Sequence, residues 1–123
     1  MRALVVDDSR AIRMLIRTIL RDLGLEVIEA GNGREALEQM KQAGDVELVL
    51  VDWNMPEMNG LELVRAVRAQ RTYDRVRILM VTTETEREQV LQALDAGANE
   101  YVMKPFTRDI LVAKLQLLDI FQE

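Results

Sequence analysis

Acidic residues lie at two points of the sequence where a short apolar run ends. Asp7 and Asp8 follow the run ALVV, and Asp52 follows the run ELVLV. If strand ends bring these carboxylates together, their repulsion raises their pKa values and favours a bound cation. The chain has no histidine and no cysteine, so the cation must be held by oxygen ligands, which suit hard ions such as Mg²⁺ or Mn²⁺.

A hydroxyl and an ammonium group follow two later apolar runs. Thr82 comes after RILMV and Lys104 after EYVM. Taken alone, Thr82 is a common strand residue and Lys104 a common surface ion-pair residue. Beside a metal-binding carboxylate pocket, however, the lysine could neutralise a phosphoryl group and the hydroxyl could donate a hydrogen bond to it. Asp52 is then the candidate nucleophile, because a carboxylate can attack phosphorus and carry an aspartyl phosphate.

The elements that must position these residues alternate along the chain. Strands are predicted for ALVV, LEVIEA, ELVLV, RILMV and EYVM, each followed by a segment with apolar residues at helical spacing. Helix N-caps are predicted at Ser9, Asn32, Thr85 and Thr107, with capping-box patterns at the second and third of these. Five strand–helix units predict an α/β fold, with a parallel sheet covered by helices on both faces.

The expected order of the strands explains why the carboxylates should meet. A doubly wound, flavodoxin-like sheet of five strands has the order 2-1-3-4-5, so strands 1 and 3 are neighbours where the order reverses. Ligands bind at the carboxyl ends of the strands at that point. This topology places Asp7, Asp8 and Asp52 at one edge of the sheet.

Length and composition limit the class of protein. The chain has 123 residues, 49% of them hydrophobic and 30% charged, which fits one globular domain over 1–123. No apolar run reaches the roughly 18 residues of a membrane span and no signal peptide pattern is present, so we expect a cytoplasmic protein. The net charge of −5 and the lack of a basic stripe argue against direct nucleic-acid binding.

Four motifs carry a resemblance to a known family. VVDDS, VLVDWNMPEMNG, ILMVTTE and YVMKPF occur in this order, and with them the chain resembles the receiver domains of two-component response regulators over essentially its whole length. The nearest likeness is to the chemotaxis regulators. The resemblance implies a signalling switch in which Asp52 accepts a phosphoryl group from a phosphohistidine of a sensor histidine kinase. It implies slow autodephosphorylation, with a phosphatase as a further partner, and no enzymatic turnover of other substrates.

The resemblance also implies a set of metal ligands. Asp8 and Asp52 would bind Mg²⁺ directly, Asp7 largely through water, and Asn54 through its backbone carbonyl. We further expect the side chains of Asn54 and Glu84 to flank the path of an attacking water and so to tune hydrolysis of the aspartyl phosphate.

Other positions correspond to the parts of the family that bind the phosphoryl group and pass on the signal. Thr82 and Tyr101 resemble its switch pair, and the Lys104–Pro105 peptide bond is expected to be cis. Thr83 follows Thr82 in the phosphoryl-binding region, where chemotaxis members usually carry the smaller alanine. We therefore expect Thr83 to narrow the approach to the phosphoryl group.

The resemblance places the output on the fourth helix, fifth strand and fifth helix. A surface near Val90, Leu91, Tyr101 and Lys114 is expected to change on phosphorylation and to bind a downstream protein. For a chemotaxis regulator that protein is the flagellar motor switch.

Three alternatives follow from the same residues. The chain could be the receiver portion of a longer response regulator. A phosphohydrolase with an aspartyl-phosphate intermediate is disfavoured, because Asn54 stands where such enzymes place a general acid–base carboxylate. A flavin-binding module shares the strand order, but no Ser/Thr/Gly-rich phosphate loop follows the first strand.

Overall fold

One five-stranded parallel sheet forms the centre of the fold. The structure is a computed structural model that describes residues 1–83 and 87–118. The strands are β1 Arg2–Val6, β2 Glu26–Ala30, β3 Val46–Asp52, β4 Arg77–Thr83 and β5 Glu100–Lys104. Their order is β2-β1-β3-β4-β5, and all neighbours are parallel. The predicted fold class and strand order are confirmed.

Five helices follow the strands. They are α1 Arg10–Asp22, α2 Gly33–Ala43, α3 Gly60–Arg68, α4 Arg87–Ala96 and α5 Arg108–Leu117, with a 3-10 turn at Arg71–Tyr73 that was not predicted. The side chains of Ser9, Asn32 and Thr107 accept the N-capping hydrogen bonds of α1, α2 and α5. The predicted cap Thr85 lies outside the described residues. A reciprocal capping box starts α3, where none was predicted.

The sheet divides the hydrophobic core into two parts, and helices cover each part. Alternate residues of a strand point to opposite faces, and in β3 Leu48 and Leu50 face one core while Val49 and Val51 face the other. Helices α1 and α5 cover the first side, here called the α1/α5 face. Helices α2, α3 and α4 cover the second, here called the α2–α4 face.

Three strands are longer at their carboxyl ends than the apolar runs predicted. β3 includes Asp52, β4 includes Thr82 and Thr83, and β5 includes Lys104. These polar residues continue the ladder, because Asp52 is in register with Val81 and Thr83 with Lys104. Asp52, Thr82, Thr83 and Lys104 are therefore held by the sheet and not by loops. Across both described ranges, no helix has the length and apolar character needed to cross a membrane.

Candidate functional site

Three carboxylates meet at the carboxyl ends of β1 and β3. Asp7 and Asp52 are buried, at 2% and 7% exposure, and Asp8 is exposed. One oxygen from each of the three lies within 4.8 Å of the others. The structure thus brings together the acidic residues that the strand order predicted to meet, which we call the acidic cluster.

Lys104 joins two of these carboxylates from the end of β5. Its Nζ atom lies 3.1 Å from Asp7 Oδ2 and 3.3 Å from Asp52 Oδ1. Burial lowers the pKa of Lys104, but the charge of Asp52 and the hydrogen bond that Lys104 donates to Asp7 outweigh it, so the net change is a raised pKa. The ammonium group is therefore charged and fixed between the two buried acids.

The carboxyl group of Asp52 sits in an environment that disfavours its ionised form. Burial, followed by the charge of Asp7, raises the pKa of Asp52 to about 6, although Lys104 acts in the opposite direction. The three carboxylates and one ammonium together carry about two excess negative charges when ionised. A divalent cation with oxygen ligands matches both the charge and the donor atoms of this cluster.

Asp7 is held on several sides. Its Oδ1 accepts from the backbone N–H of Ser9 at 2.8 Å, and its backbone N–H donates to the carbonyl of Ala30 at 3.1 Å. Its own carbonyl accepts from Arg13 Nη1 at 2.6 Å. The sequence prediction did not include Arg13, because helical periodicity alone places it among the polar residues of α1.

The start of α3 packs directly on the backbone of Asp52. A Cβ atom on Gly60 would lie 2.6 Å from the carbonyl oxygen of Asp52 and 2.9 Å from Trp53 Cα. The N–H of Gly60 donates to the Trp53 carbonyl at 2.9 Å. Only a residue without a side chain fits here, and the signal available in the sequence was a glycine in the first turn of a predicted helix.

The two threonines at the end of β4 lie on opposite faces of the sheet. Thr82 is fully buried and shares the α2–α4 face with Met80 and Tyr101, whereas Thr83 shares the α1/α5 face with Val81. Thr83 and Lys104 line a pocket of about 370 Å³ with Ile12, Leu15, Pro105 and Phe106. Thr83 is therefore the hydroxyl residue beside Lys104, and Thr82 faces the side of the predicted switch.

Tyr101 lies in the edge strand β5 and is partly buried. The Nζ atom of Lys114 is 4.2 Å from the centre of its ring, and it also pairs with Glu100 at 3.3 Å. Leu91 of α4 is 63% exposed, as expected for the output surface, but Val90 is buried in the core. The expectation that Val90 belongs to that surface was wrong, because its side chain is almost fully covered.

Three further predictions concern the Lys104–Pro105 peptide bond, Asn54 and Glu84. The peptide bond between Lys104 and Pro105 is cis. Asn54 is exposed in the connection that follows β3. Glu84, the second residue expected to tune hydrolysis, lies outside the described residues.

Comparison with known proteins places the chain in a family. Residues 3–116 match the model of the response regulator receiver domain. The chain is 49% identical to a chemotaxis protein CheY homolog of Campylobacter jejuni, covering 94% of this chain and 90% of the relative. It is 46% identical to chemotaxis protein CheY1 of Helicobacter pylori, covering 96% of each.

Solved structures agree with this assignment. The Vibrio cholerae chemotaxis protein CheY4 superposes with a TM-score of 0.88 and 41% identity over 95% of this chain and 97% of that one. A putative two-component system response regulator/GGDEF domain protein gives a TM-score of 0.92 at 34% identity, over all of this chain and 51% of the longer one. The relatives named above are chemotaxis proteins, and the chain belongs to the response regulator receiver domain family.

Proposed function

We propose that this protein is a phosphorylation-driven switch of a two-component system and that Asp52 is its phosphoacceptor. An oxygen of the Asp52 carboxylate attacks the phosphorus of a phosphohistidine on a partner sensor kinase. The new O–P bond forms as the N–P bond breaks, and the imidazole nitrogen leaves with the electron pair. The phosphohistidine lies outside residues 1–123, because they contain no histidine.

The acidic cluster would hold Mg²⁺, or Mn²⁺ in its place, during this transfer. When bound, the ion offsets the repulsion between the acidic cluster and the incoming phosphoryl oxygens. We assign direct ligation to Asp8 and Asp52 and a water-mediated contact to Asp7, together with the backbone carbonyl of Asn54. The hydrogen bonds that already occupy both oxygens of Asp7 support this division.

Lys104 and the two threonines would bind the transferred phosphoryl group. Lys104 already lies 3.3 Å from the Asp52 carboxylate, so it can pair with an oxygen of the phosphoryl group without crossing the site. Thr83 lies beside Lys104, and we propose that its methyl group narrows the approach from the α1/α5 face. Asn54 and Glu84 would control access of the water that removes the phosphoryl group.

The signal would leave through α4, β5 and α5. Thr82 moves toward the phosphoryl group, and Tyr101, on the same face of the sheet, changes its rotamer in response. The outer surface around Leu91, Tyr101 and Lys114 then binds the downstream protein. The CheY names of the relatives support chemotaxis as the pathway, with the flagellar motor switch as the target, a phosphatase as a second partner and the cytoplasm as the compartment.

We further propose that residues 1–123 form one receiver domain. The match to a longer GGDEF protein, of which this chain covers 51%, supports the view that the same unit also works when joined to an output domain.

The contact of one lysine with two buried aspartates carries the proposal, because it puts a fixed cation beside an ionisable nucleophile. The test is mass spectrometry of the intact chain after treatment with acetyl phosphate and Mg²⁺. We expect one added phosphoryl group in the wild type, and none in Asp52→Asn or when EDTA is present. Asp45→Asn, an exposed acid at the opposite end of β3, is the control and should be labelled like the wild type. Persistent labelling of Asp52→Asn would contradict the assignment of Asp52 as the phosphoacceptor.

A further inference from the structure

A chain of two arginines and one glutamate connects strand β2 with the acidic cluster. Arg13 Nε donates to Glu29 Oε1 at 3.0 Å, while its Nη1 donates to the backbone carbonyl of Asp7 at 2.6 Å. The other oxygen of Glu29 accepts from Arg17 Nη1 at 2.7 Å. Arg13 therefore links the main chain at the acidic cluster to a carboxylate on the neighbouring strand.

These contacts fix the direction of the Arg13 side chain. The side chains of Arg13 and Glu29 are 19% and 23% exposed, so their ion pair is largely shielded from water. A guanidinium group is planar and rigid, and its donors point in fixed directions. With Nε bound to Glu29, the Nη1 donor is held where it meets the Asp7 carbonyl.

The atom that Arg13 contacts controls the position of the next residue. The Asp7 carbonyl belongs to the peptide unit that leads into Asp8, and a peptide unit rotates as one plane. A hydrogen bond to this oxygen therefore restricts rotation of the plane. Asp8, whose carboxylate is exposed and has no strand to hold it, is placed through this restriction.

We infer that Arg13 is a positioning residue for the metal site, which it serves by fixing the peptide between Asp7 and Asp8, with Glu29 holding Arg13 in the required direction. The inference rests on the proposed function, because it concerns the Mg²⁺ site. It adds a residue that touches none of the three carboxylate groups of the cluster and acts only through the main chain.

Arg17 provides a matched control. It shares Glu29 with Arg13, but within the described part of the chain its ion pair runs to Glu29 and not to Asp7. Loss of either arginine removes one ion pair of the same glutamate. Only loss of Arg13 frees the Asp7 carbonyl.

The experiment measures Mg²⁺ affinity in the full chain by calorimetry, with Trp53 fluorescence as a second readout and urea unfolding in EDTA as a test of the fold. We expect Arg13→Gln to weaken Mg²⁺ binding about tenfold, as is typical when a group behind a metal ligand is lost. Arg17→Gln should bind Mg²⁺ like the wild type even if its stability falls by as much. Arg13→Lys, which keeps a charged donor, should recover part of the loss, and Glu29→Gln should be intermediate.

Several results would overturn the inference. One is wild-type Mg²⁺ affinity in a folded Arg13→Gln protein, and another is an equal loss of affinity in Arg13→Gln and Arg17→Gln. If Arg13→Gln does not fold, the Mg²⁺ affinities of Arg13→Lys and Glu29→Gln become the test. Wild-type Mg²⁺ affinity in both variants would then overturn the inference. A wild-type protein that binds no Mg²⁺ would overturn the proposed function and the inference together, before any variant is compared.

Discussion

The environment of Asp52 lowers the stability of the metal-free protein and at the same time prepares the carboxylate for its proposed reaction. Its carboxylate is buried next to Asp7, which raises its pKa to about 6, and Lys104 offsets only part of this effect. Ionised Asp52 therefore destabilises the metal-free protein. The same uncompensated negative charge is what attracts a divalent cation and makes the oxygen a nucleophile.

Replacing Asp52 by asparagine should stabilise the metal-free protein at neutral pH. The pKa of this carboxyl is higher in the folded chain, about 6, than in the unfolded chain, so folding takes up a proton between these two values and stability falls as pH rises through them. Asp52→Asn lacks this loss, so its advantage should grow between about pH 4 and pH 6 and then stay constant. We expect about 1–3 kcal/mol at pH 7.5, measured by urea unfolding in EDTA.

The control for this prediction is Asp45→Asn, which changes an exposed acid paired with Arg2. Water screens an exposed pair, so its replacement should give no comparable gain. An Asp52→Asn protein that is less stable than the wild type at pH 7.5 would contradict the account of the acidic cluster.

At the scale of elements, the first turn of α3 packs against the backbone at the end of β3 and restricts its position. Gly60 lies so close to the Asp52 carbonyl that a methyl group would approach this oxygen to 2.6 Å. Because both neighbours are backbone atoms, neither can move aside without shifting the nucleophile.

Gly60→Ala should therefore disturb both stability and the site. We expect a loss of about 1–3 kcal/mol in the free energy of unfolding, the usual cost of overpacking, together with weaker Mg²⁺ binding followed by Trp53 fluorescence. Gly31→Ala is the control, since its Cβ would meet neighbours only at an ordinary 3.8 Å. Unchanged stability and affinity in Gly60→Ala would show that the strand end can move freely.

Arg68 connects the elements at the opposite end of the sheet. Its guanidinium donates to the carbonyls of Gly97, Tyr73 and Val76 at 2.7–2.9 Å, and to Asn99 Oδ1 at 2.9 Å. These acceptors follow α3 and α4, so one side chain joins the carboxyl ends of two helices. The C-terminal end of α4 is thereby held.

Arg68→Lys should destabilise the protein although it keeps the charge. An ammonium group cannot reach these acceptors together, and each hydrogen bond contributes about 1 kcal/mol, so we expect a loss of about 2–3 kcal/mol in urea unfolding. Arg65→Lys, an exposed position on the same helix, should change stability by less than about 0.5 kcal/mol. A loss of stability in Arg68→Lys no larger than that in Arg65→Lys would mean that the hydrogen bonds of Arg68 do not hold the two helices together.

The limits of sequence prediction are clear at this scale. The strands and helices followed from hydrophobic periodicity, and the meeting of Asp7, Asp8 and Asp52 followed from the strand order. Arg13 and Arg68 were not predicted, because their roles depend on main-chain oxygens brought close only by tertiary packing. Val90 was misplaced because α4 has apolar residues on more than one side, so periodicity did not identify the buried one.

For the whole molecule, the residues of the site and of the proposed switch pair lie on opposite faces of the sheet. Asp52, Thr83 and Lys104 end their strands on the α1/α5 face, whereas Thr82 and Tyr101 face α2–α4. In the proposed switch, the end of β4, where Thr82 and Thr83 point to opposite faces, links the phosphoryl site to Tyr101. To shift a two-state switch from about 1:99 to 99:1 in favour of its active state, phosphorylation must stabilise that state by roughly 5.5 kcal/mol relative to the inactive one. Hydrogen bonds to a charged group contribute about 1.5–3 kcal/mol each.

Thr82→Ala should separate phosphorylation from output. The variant keeps Asp52 and Lys104 and should accept the phosphoryl group, but it lacks the hydroxyl that draws the end of β4 toward it, so it should lose most of its gain in partner affinity. The measurement is a titration of the downstream protein with both phosphorylated forms. Thr83→Ala, on the other face, should keep the gain. Equal affinities for phosphorylated wild type and Thr82→Ala would refute this coupling.

The contacts of Lys104 have a consequence for folding. The lysine bonds to Asp7, 97 positions earlier in the chain, and to Asp52, 52 positions earlier. The site with Lys104 in place thus exists only after β1, β3 and β5 have joined one sheet. A ligand that binds only the complete fold stabilises it by mass action, by about 1.4 kcal/mol at ten times its Kd. Mg²⁺, whose proposed ligands follow β1 and β3, would therefore act as a folding ligand as well, favouring those molecules in which these two strands have paired.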